Sequence, residues 1–296
     1  MTDREIGGAT DVREPADDAR LALLLEVAGT PKPGNVDRAR DLPDLRFEQF
    51  LAGAVGAGAG LDRAAAGAPV GDAFAEAVAG MHARAGENTQ FGCLLLLVPL
   101  VRAAAETGDG PLTPAAVEAV VAGTTVDDAV AFYRAFEHVD VAVGDPPADA
   151  PELDVRRGAA AESTLRERGL TLADVMAFSA APAEGIPDRN AQEWVEGFPR
   201  TFDAAEALLS MDGPVSERTA RVFVDLLATE PDSLVATNHG DAVAREVSQR
   251  AMAVRGDLDA AAELAEELVD EGINPGTTAD VTCAALFVAL RRGLDV

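Results

Sequence analysis

Apolar positions along this chain recur at helical spacing, and nowhere do they alternate over a strand-length stretch. The first run opens behind Pro15, carries Leu21, Leu24, Leu25 and Ala28 on one face, and stops at Gly29. The second has Asp44 as its expected cap and Phe47, Phe50, Leu51, Ala54 and Val55 as its apolar face. It continues into Gly53–Gly60, which is almost without side chains. A glycine-rich phosphate loop follows a strand, whereas this stretch prolongs a helical pattern, as a helix closely approached by a neighbour does. Further helices are expected over 71–84, from Phe91 through Val101, from Thr113-Pro114 to Ala122, from a Thr125 cap through Phe136, and over 172–181 behind Thr171. A long helix from Glu193 to Leu208 is kinked or interrupted at Pro199. Another starts at Pro214-Val-Ser216. The polar turn Thr237–Asp241 leads into one over 242–254, and Asp257 opens an acidic one to Val269. Last, Gly272–Asp280 leads into an apolar helix ending near Leu290. The expected fold is all-α: about a dozen helices in a single domain over 15–296, behind a disordered acidic arm over 1–14.

Charge narrows the partners. The 296 residues include 51 acidic and 24 basic ones, a net charge of −27, and Arg stands where Lys is usual: Lys32 is the one lysine. Such a surface repels nucleic acid and anionic membranes, so neither is an expected partner. With 48% hydrophobic residues the chain is not of the disordered acidic class. High salt screens the self-repulsion of such a surface, which suggests a halophilic, cytoplasmic protein. The start of the chain, Met1–Asp18, has no apolar segment of the kind a secretory signal needs. The longest apolar run, Phe91–Val101, is about half the ~20 residues of a membrane span. Cys93 and Cys283 lie far apart in apolar runs, without metal-ligand spacing, and read as buried small residues.

Three loop-to-helix junctions share a chemistry. Thr30-Pro-Lys-Pro-Gly-Asn-Val-Asp-Arg38 is a stiff loop with a cation, Lys32, and backbone donors after Gly34 that suit an anion. Asn88-Thr-Gln-Phe-Gly92 and Asn274-Pro-Gly-Thr-Thr-Ala-Asp280 each open an apolar helix, whose N-terminus offers free N–H groups and partial positive charge to phosphate. The binding residues expected from these junctions are Lys32, Gly34, Asn35, Asp37, Arg38, Asn88, Thr89, Gln90, Gly92, Asn274, Gly276, Thr277 and Thr278. Asp280, one turn into the last helix, suits a divalent cation bridging phosphate oxygens, and Asp127 and Asp128 are further candidate metal ligands. His239, beside Asp241, is the histidine to test; His82 and His138 read as surface or boundary residues. Trp194 reads as core.

These stretches resemble the triphosphoribosyl-dephospho-CoA synthase family, also called CitG-like, and they run in the family's order over almost the whole chain. The matching segments are Thr30–Arg38, Gly86–Gly92 and Gly272–Asp280 with its apolar helix; Asp127–Tyr133 and the turn into Arg245 match more loosely. The resemblance implies an all-helical transferase that uses ATP and 3′-dephospho-CoA, with Mg²⁺. It moves the triphosphoribosyl group onto the ribose 2′-hydroxyl of dephospho-CoA and releases adenine. On that reading Lys32, Arg38 and Arg245 neutralise the triphosphate, and Asp241 or Asp280 takes the acceptor's proton. Typical members carry His-Lys where this chain has Gln90-Phe91, and the Glu193-Trp194 stretch resembles an archaeal and methylotroph branch. Two alternatives stay open: a nucleotidyl or ribosyl transferase acting on another acceptor, such as a pterin, and a catalytically silent nucleotide-binding protein.

Overall fold

A computed structural model describes residues 14–108, 110–146, 150–182 and 184–296. The expected arm over 1–14 lies outside the described residues except for Glu14. In chain order the helices are α1 (Pro15–Ala28), α2 (Phe47–Gly56), α3 (Gly58–Ala65), α4 (Val70–Ala85), α5 (Phe91–Thr107), α6 (Pro114–Ala122), α7 (Val126–Ala135), α8 (Glu162–Arg168) and α9 (Leu172–Ala180). They continue as α10 (Arg189–Glu196), α11 (Pro199–Ser210), α12 (Val215–Thr229), α13 (Ser233–His239), α14 (Asp241–Ala253), α15 (Leu258–Asp270) and α16 (Gly276–Arg291). Two 3₁₀ segments, Pro151–Leu153 and Val155–Ala161, precede α8. Among the described residues there is no strand, only an isolated bridge between Asp37 and Arg40. The fold is all-α.

The count exceeds a dozen because glycine breaks runs that the apolar pattern joins. The glycine-rich stretch forms two helices meeting at Ala57. Its glycines do admit a neighbour: a Cβ on Gly56 would overlap the Gly80 carbonyl of α4, and one on Gly60 would lie 2.6 Å from Ala77 Cα. The long helix predicted over Glu193–Leu208 divides at Gly197 and Phe198, both left-handed at φ 82° and 62°. Pro199 is therefore the first residue of α11, where its missing N–H costs nothing, and not a kink. Arg46, not Asp44, precedes α2, its N–H donating to Gln49 Oε1 at 2.9 Å. Thr237–His239 end a helix of their own, α13, rather than forming a turn. Thr113, Thr125 and Thr171 cap their helices as expected.

α16 is the axis of the molecule. From Thr277 to Leu290 every residue but Asp280 is buried, and the helix touches α1, α5, α10, α11, α12 and α13. Each large side chain here, such as Leu286 or Phe287, contributes about 1.5–3 kcal/mol by leaving water. One contiguous apolar cluster runs from Ala16 to Leu294; a smaller one joins α12 to α15, and a third gathers Val27, Val36 and Phe50 beneath the first loop. No helix of the described residues is long and apolar enough to cross a membrane.

Candidate active site

The first and last polar loops meet. Gly34, at φ +73°, lies against Pro275 and Leu268 so closely that a Cβ would sit 2.9 Å from Pro275 Cδ. Next to it Asn35 Nδ2 donates to Asn274 Oδ1 at 2.8 Å. Behind this seam lies Lys32, fully buried, its Nζ paired with Glu26 of α1 and donating to Asn35 Oδ1 at 3.1 Å. The ammonium also sits 5.9 Å from the Phe223 ring centroid. Burial pushes the Glu26 carboxyl up from its ordinary range, and Lys32 works against that shift. Asp37 holds the loop's shape, accepting from Lys32 N at 3.0 Å and Ala39 N at 2.8 Å and pairing with Arg40.

Beside the seam opens a cavity of about 570 Å³. The N-terminal turns of α5, α10 and α16 reach it with Gly92 and Cys93, Asn190, and Gly276, Thr277 and Asp280. Ser233 and Leu234 of α13 join them. Asp280 stands in the floor. Its Oδ2 accepts from Asn190 Nδ2 at 2.8 Å and its Oδ1 from Cys93 Sγ at 3.2 Å. Cys283, one turn further along α16, lies within hydrogen-bond reach of Cys93. Gly92 makes this arrangement possible: a Cβ there would overlap Asp280 Oδ2 and lie 2.6 Å from Asn190 Nδ2. Burial, with Asp232 and Glu26 nearby, pushes the Asp280 carboxyl up to about 7 against the pull of its two donors.

The α13 and α16 N-termini are tied by one buried carboxylate. Asp232 Oδ1 accepts from Leu234 N and Val235 N at 2.9 and 3.0 Å, and Oδ2 from Thr278 N and Oγ1, both at 2.7 Å. Ser233 Oγ lies 3.0 Å from Thr277 Oγ1 and accepts from Arg189 N at 3.1 Å, which adds α10. Three helix ends, those of α10, α13 and α16, are thereby held together.

The structure sorts the residues expected at a site. Asn35, Asn88, Thr89, Gly92, Asn274, Gly276, Thr277 and Asp280 line the cavity; Lys32, Gly34, Asp37 and Thr278 support its walls from behind. Gln90 is buried with its Nε2 on the Leu23 carbonyl. Arg38 is exposed and outside the lining. Asp241 and Arg245 pair with each other at 3.0 Å, also outside it. Asp127 and Asp128 do not join Asp280. Asp127 pairs with Arg166 at 2.7 Å, and Asp128 closes the Thr125 cap while accepting from Gly71 N at 2.7 Å, both on a different cavity. The expected three-aspartate metal set is thus corrected: cap geometry and an arginine hold two of the three elsewhere. His82, half-buried, and His138, exposed, are the boundary and surface residues expected, and both line the cavity, whereas His239 does not. Trp194 is core, its Nε1 donating to the Leu95 carbonyl at 3.2 Å.

The family model described as CitG, ATP:dephospho-CoA triphosphoribosyl transferase, matches residues 12–295. The chain belongs to the CitG family. It is a transferase of the triphosphoribosyl-dephospho-CoA synthase type, with ATP as a substrate. Its fold is similar to the crystal structure of an Archaeoglobus fulgidus protein named as a candidate triphosphoribosyl-dephospho-CoA synthase. The TM-score is 0.66 at 27% identity, over 82% of this chain and 99% of that one. A search of curated proteins finds no match.

In this CitG-family chain the polar stretches missed by sequence reasoning are Glu26, Asn190, Asp232 and Ser233. Each left a signal. Glu26 is a carboxylate flanked by Leu23 and Val27 on a buried helix face, where only a partnered charge belongs. Asp188-Arg-Asn190 and Asp232-Ser233 follow Pro187 and Pro231 and have the form of helix starts.

Proposed function

We propose that the triphosphoribosyl transfer takes place in this cavity, with Asp280 as the group that takes the proton of the acceptor's 2′-hydroxyl. The observation that carries the reading is a carboxyl near neutrality, facing a cavity, with both oxygens held by uncharged donors. A base that works near pH 7 needs that balance. As the ribose C1′–N9 bond of ATP breaks, positive charge grows on the sugar. The unpaired carboxylates of the lining favour that charge. Asn35, Asn274, Thr277 and the N-terminal turns of α5 and α16 are the groups to orient phosphates.

The lining includes seven carboxylates, Glu26, Asp44, Glu87, Glu137, Asp140, Asp188 and Asp280, and among the described residues no lysine or arginine. A triphosphate entering it needs its own cations. The other oxygen donors of the lining, among them Asn35, Asn274 and the carboxylates besides Asp280, suit Mg²⁺, which keeps one or two carboxylates together with substrate phosphates. Bound there, Mg²⁺ would supply charge neutralisation. No group of three His, Cys, Asp or Glu among the described residues forms a resident metal site, so the ion arrives with ATP on this reading. The acidic surface suits a cytoplasm of high salt. The test is chromatography of adenine released from ATP, Mg²⁺ and dephospho-CoA by the purified protein in high salt. Adenine formed by wild type and not by Asp280→Asn is the expected result; equal release by both would overturn the assignment.

A further inference from the structure

The chain between α7 and the first 3₁₀ segment supplies a wall of the cavity that has no part in the chemistry at Asp280. From Asp140 to Pro146 it forms no helix, turn or bridge. Exposure along it alternates: Val139 is buried and Val141 and Val143 are half-buried, while Asp140, Ala142 and Gly144 are exposed. That period of two is the spacing of a strand, here without a neighbouring strand. No backbone N–H group over 139–144 has a hydrogen-bond partner among the described residues. Of the carbonyls only that of Asp140 has one, accepting from Asn88 Nδ2 at 3.1 Å. Asn88 Oδ1 in turn accepts from Phe91 N at 3.2 Å, which ties the segment to the first turn of α5. The same turn carries Gly92 and Cys93 against Asp280. Backbone groups left open in this way pair with water or with a ligand.

We propose that this wall binds the amide-bearing arm of the acceptor, taking its amides on the open backbone and its alkyl groups among apolar side chains. The inference rests on the reading that the transfer takes place in this cavity. Dephospho-CoA is an adenosine diphosphate joined to a flexible arm with secondary amides, a geminal dimethyl group and a thiol. A secondary amide offers the N–H and C=O of a peptide unit. An extended arm therefore adds to an open backbone as a strand adds to a sheet edge. Its alkyl groups need apolar contact, and the lining supplies Leu45, Phe50, Phe136, Val139, Val141 and Val143. Leu45 and Phe50 come from the apolar cluster beneath the first loop, and Phe136, Val139 and Val141 from the main one. Val143 packs into no apolar cluster of the described residues, so it is the half-buried side chain left for a ligand to cover. Charge selects the same occupant. Asp44, Glu87 and Asp140 are exposed carboxylates of the lining that adjoin Leu45, Asn88 and Val139 in the chain. An uncharged arm lies among them without the cations that a triphosphate needs. ATP is left Asn274, Gly276 and Thr277 at the N-terminus of α16.

Hydrogen exchange read by mass spectrometry tests this on the unaltered protein in high salt. Dephospho-CoA is compared with ADP, which is the acceptor's nucleotide without the arm. Amides over 139–144 are expected to exchange fast in the free protein and in the presence of ADP. With dephospho-CoA at about 100 times its Kd, those that pair with the arm slow by up to about 100-fold. Protection by ADP as great as that by dephospho-CoA, or protection by neither, overturns the proposal. Steady-state adenine release gives a second reading. Val143→Asp sets a charge against the arm and is expected to raise the KM for dephospho-CoA about 10-fold while the KM for ATP stays. A KM for ATP raised as much, or no rise in either, also overturns it, the first because the adenine of ATP then occupies this wall. Adenine release unchanged in Asp280→Asn removes the assignment of Asp280 alone, since exchange with dephospho-CoA reads what the wall binds without turnover.

Discussion

Two cavities of similar size carry acidic side chains, and they differ in how the charges are met. The cavity beside α4, α6 and α7, about 740 Å³, is the larger. There Asp127 pairs with Arg166, Glu106 with Arg102 at 2.5 Å, and Asp72 approaches Arg63 at 4.0 Å, while Asp128 is spent on a helix cap. In the cavity at the α5, α10 and α16 N-termini, Glu26 is the one carboxylate of seven with an ion-pair partner among the described residues. The first arrangement is complete without a ligand. The second carries uncompensated negative charge and a carboxyl near neutrality, which is the signature of a site held ready for chemistry. Volume does not distinguish them; charge balance does.

The sharpest way to break that contrast is to remove one aspartate from each side. Asp280→Asn is expected to lower adenine release by about 10²-fold or more, the usual worth of a positioned base. Asp127→Asn is expected to leave both release and melting temperature at wild-type values, because its partner is at the surface. Loss of activity in the second variant would show that the larger cavity takes part.

Lys32→Met tests the buried pair behind the seam. Leaving Glu26 charged and alone costs about 3–5 kcal/mol of stability, read as a lower denaturation midpoint, and Lys32→Met with Glu26→Gln recovers most of it. If instead stability holds and only the KM for ATP rises, Lys32 contacts phosphate as the loop's composition first suggested. Gly92→Ala forces Asp280 and Asn190 apart and is expected to cost about 1–3 kcal/mol, with a larger proportional loss of activity.

A further effect is one of pH. A carboxyl raised from 3.8 to about 7 favours the folded state when neutral. The stability it contributes is present at pH 4 and is lost as pH climbs to 7, since the folded form binds the extra proton in that window. Asp280→Asn, permanently neutral, should therefore melt higher than wild type at pH 8 and no higher at pH 4. An Asp280→Asn protein that melts lower at pH 8 would show that the carboxylate form stabilises the fold.

Most of the fold was legible along the chain because helices announce themselves locally. Apolar spacing, threonine caps and prolines at first positions placed α1, α6, α7, α9 and α16 within a residue or two. The three polar junctions were legible for the same reason, and most of their residues do face one cavity. What spacing could not carry was pairing across hundreds of residues. Lys32 reads as a free cation in sequence because Glu26, its partner, lies on a helix face that looks apolar. Asp127, Asp128 and Asp280 read as alike because type and neighbours do not tell where a side chain points.

The sequence by itself determined a helical CitG-type chain, its loop-to-helix junctions and its acidic surface, all properties of local pattern and composition. Tertiary structure alone decided which charges cancel and which stay open. Burial and distance set a carboxyl's proton affinity, and both arise only when α1, α5, α10 and α16 come together around Asp280.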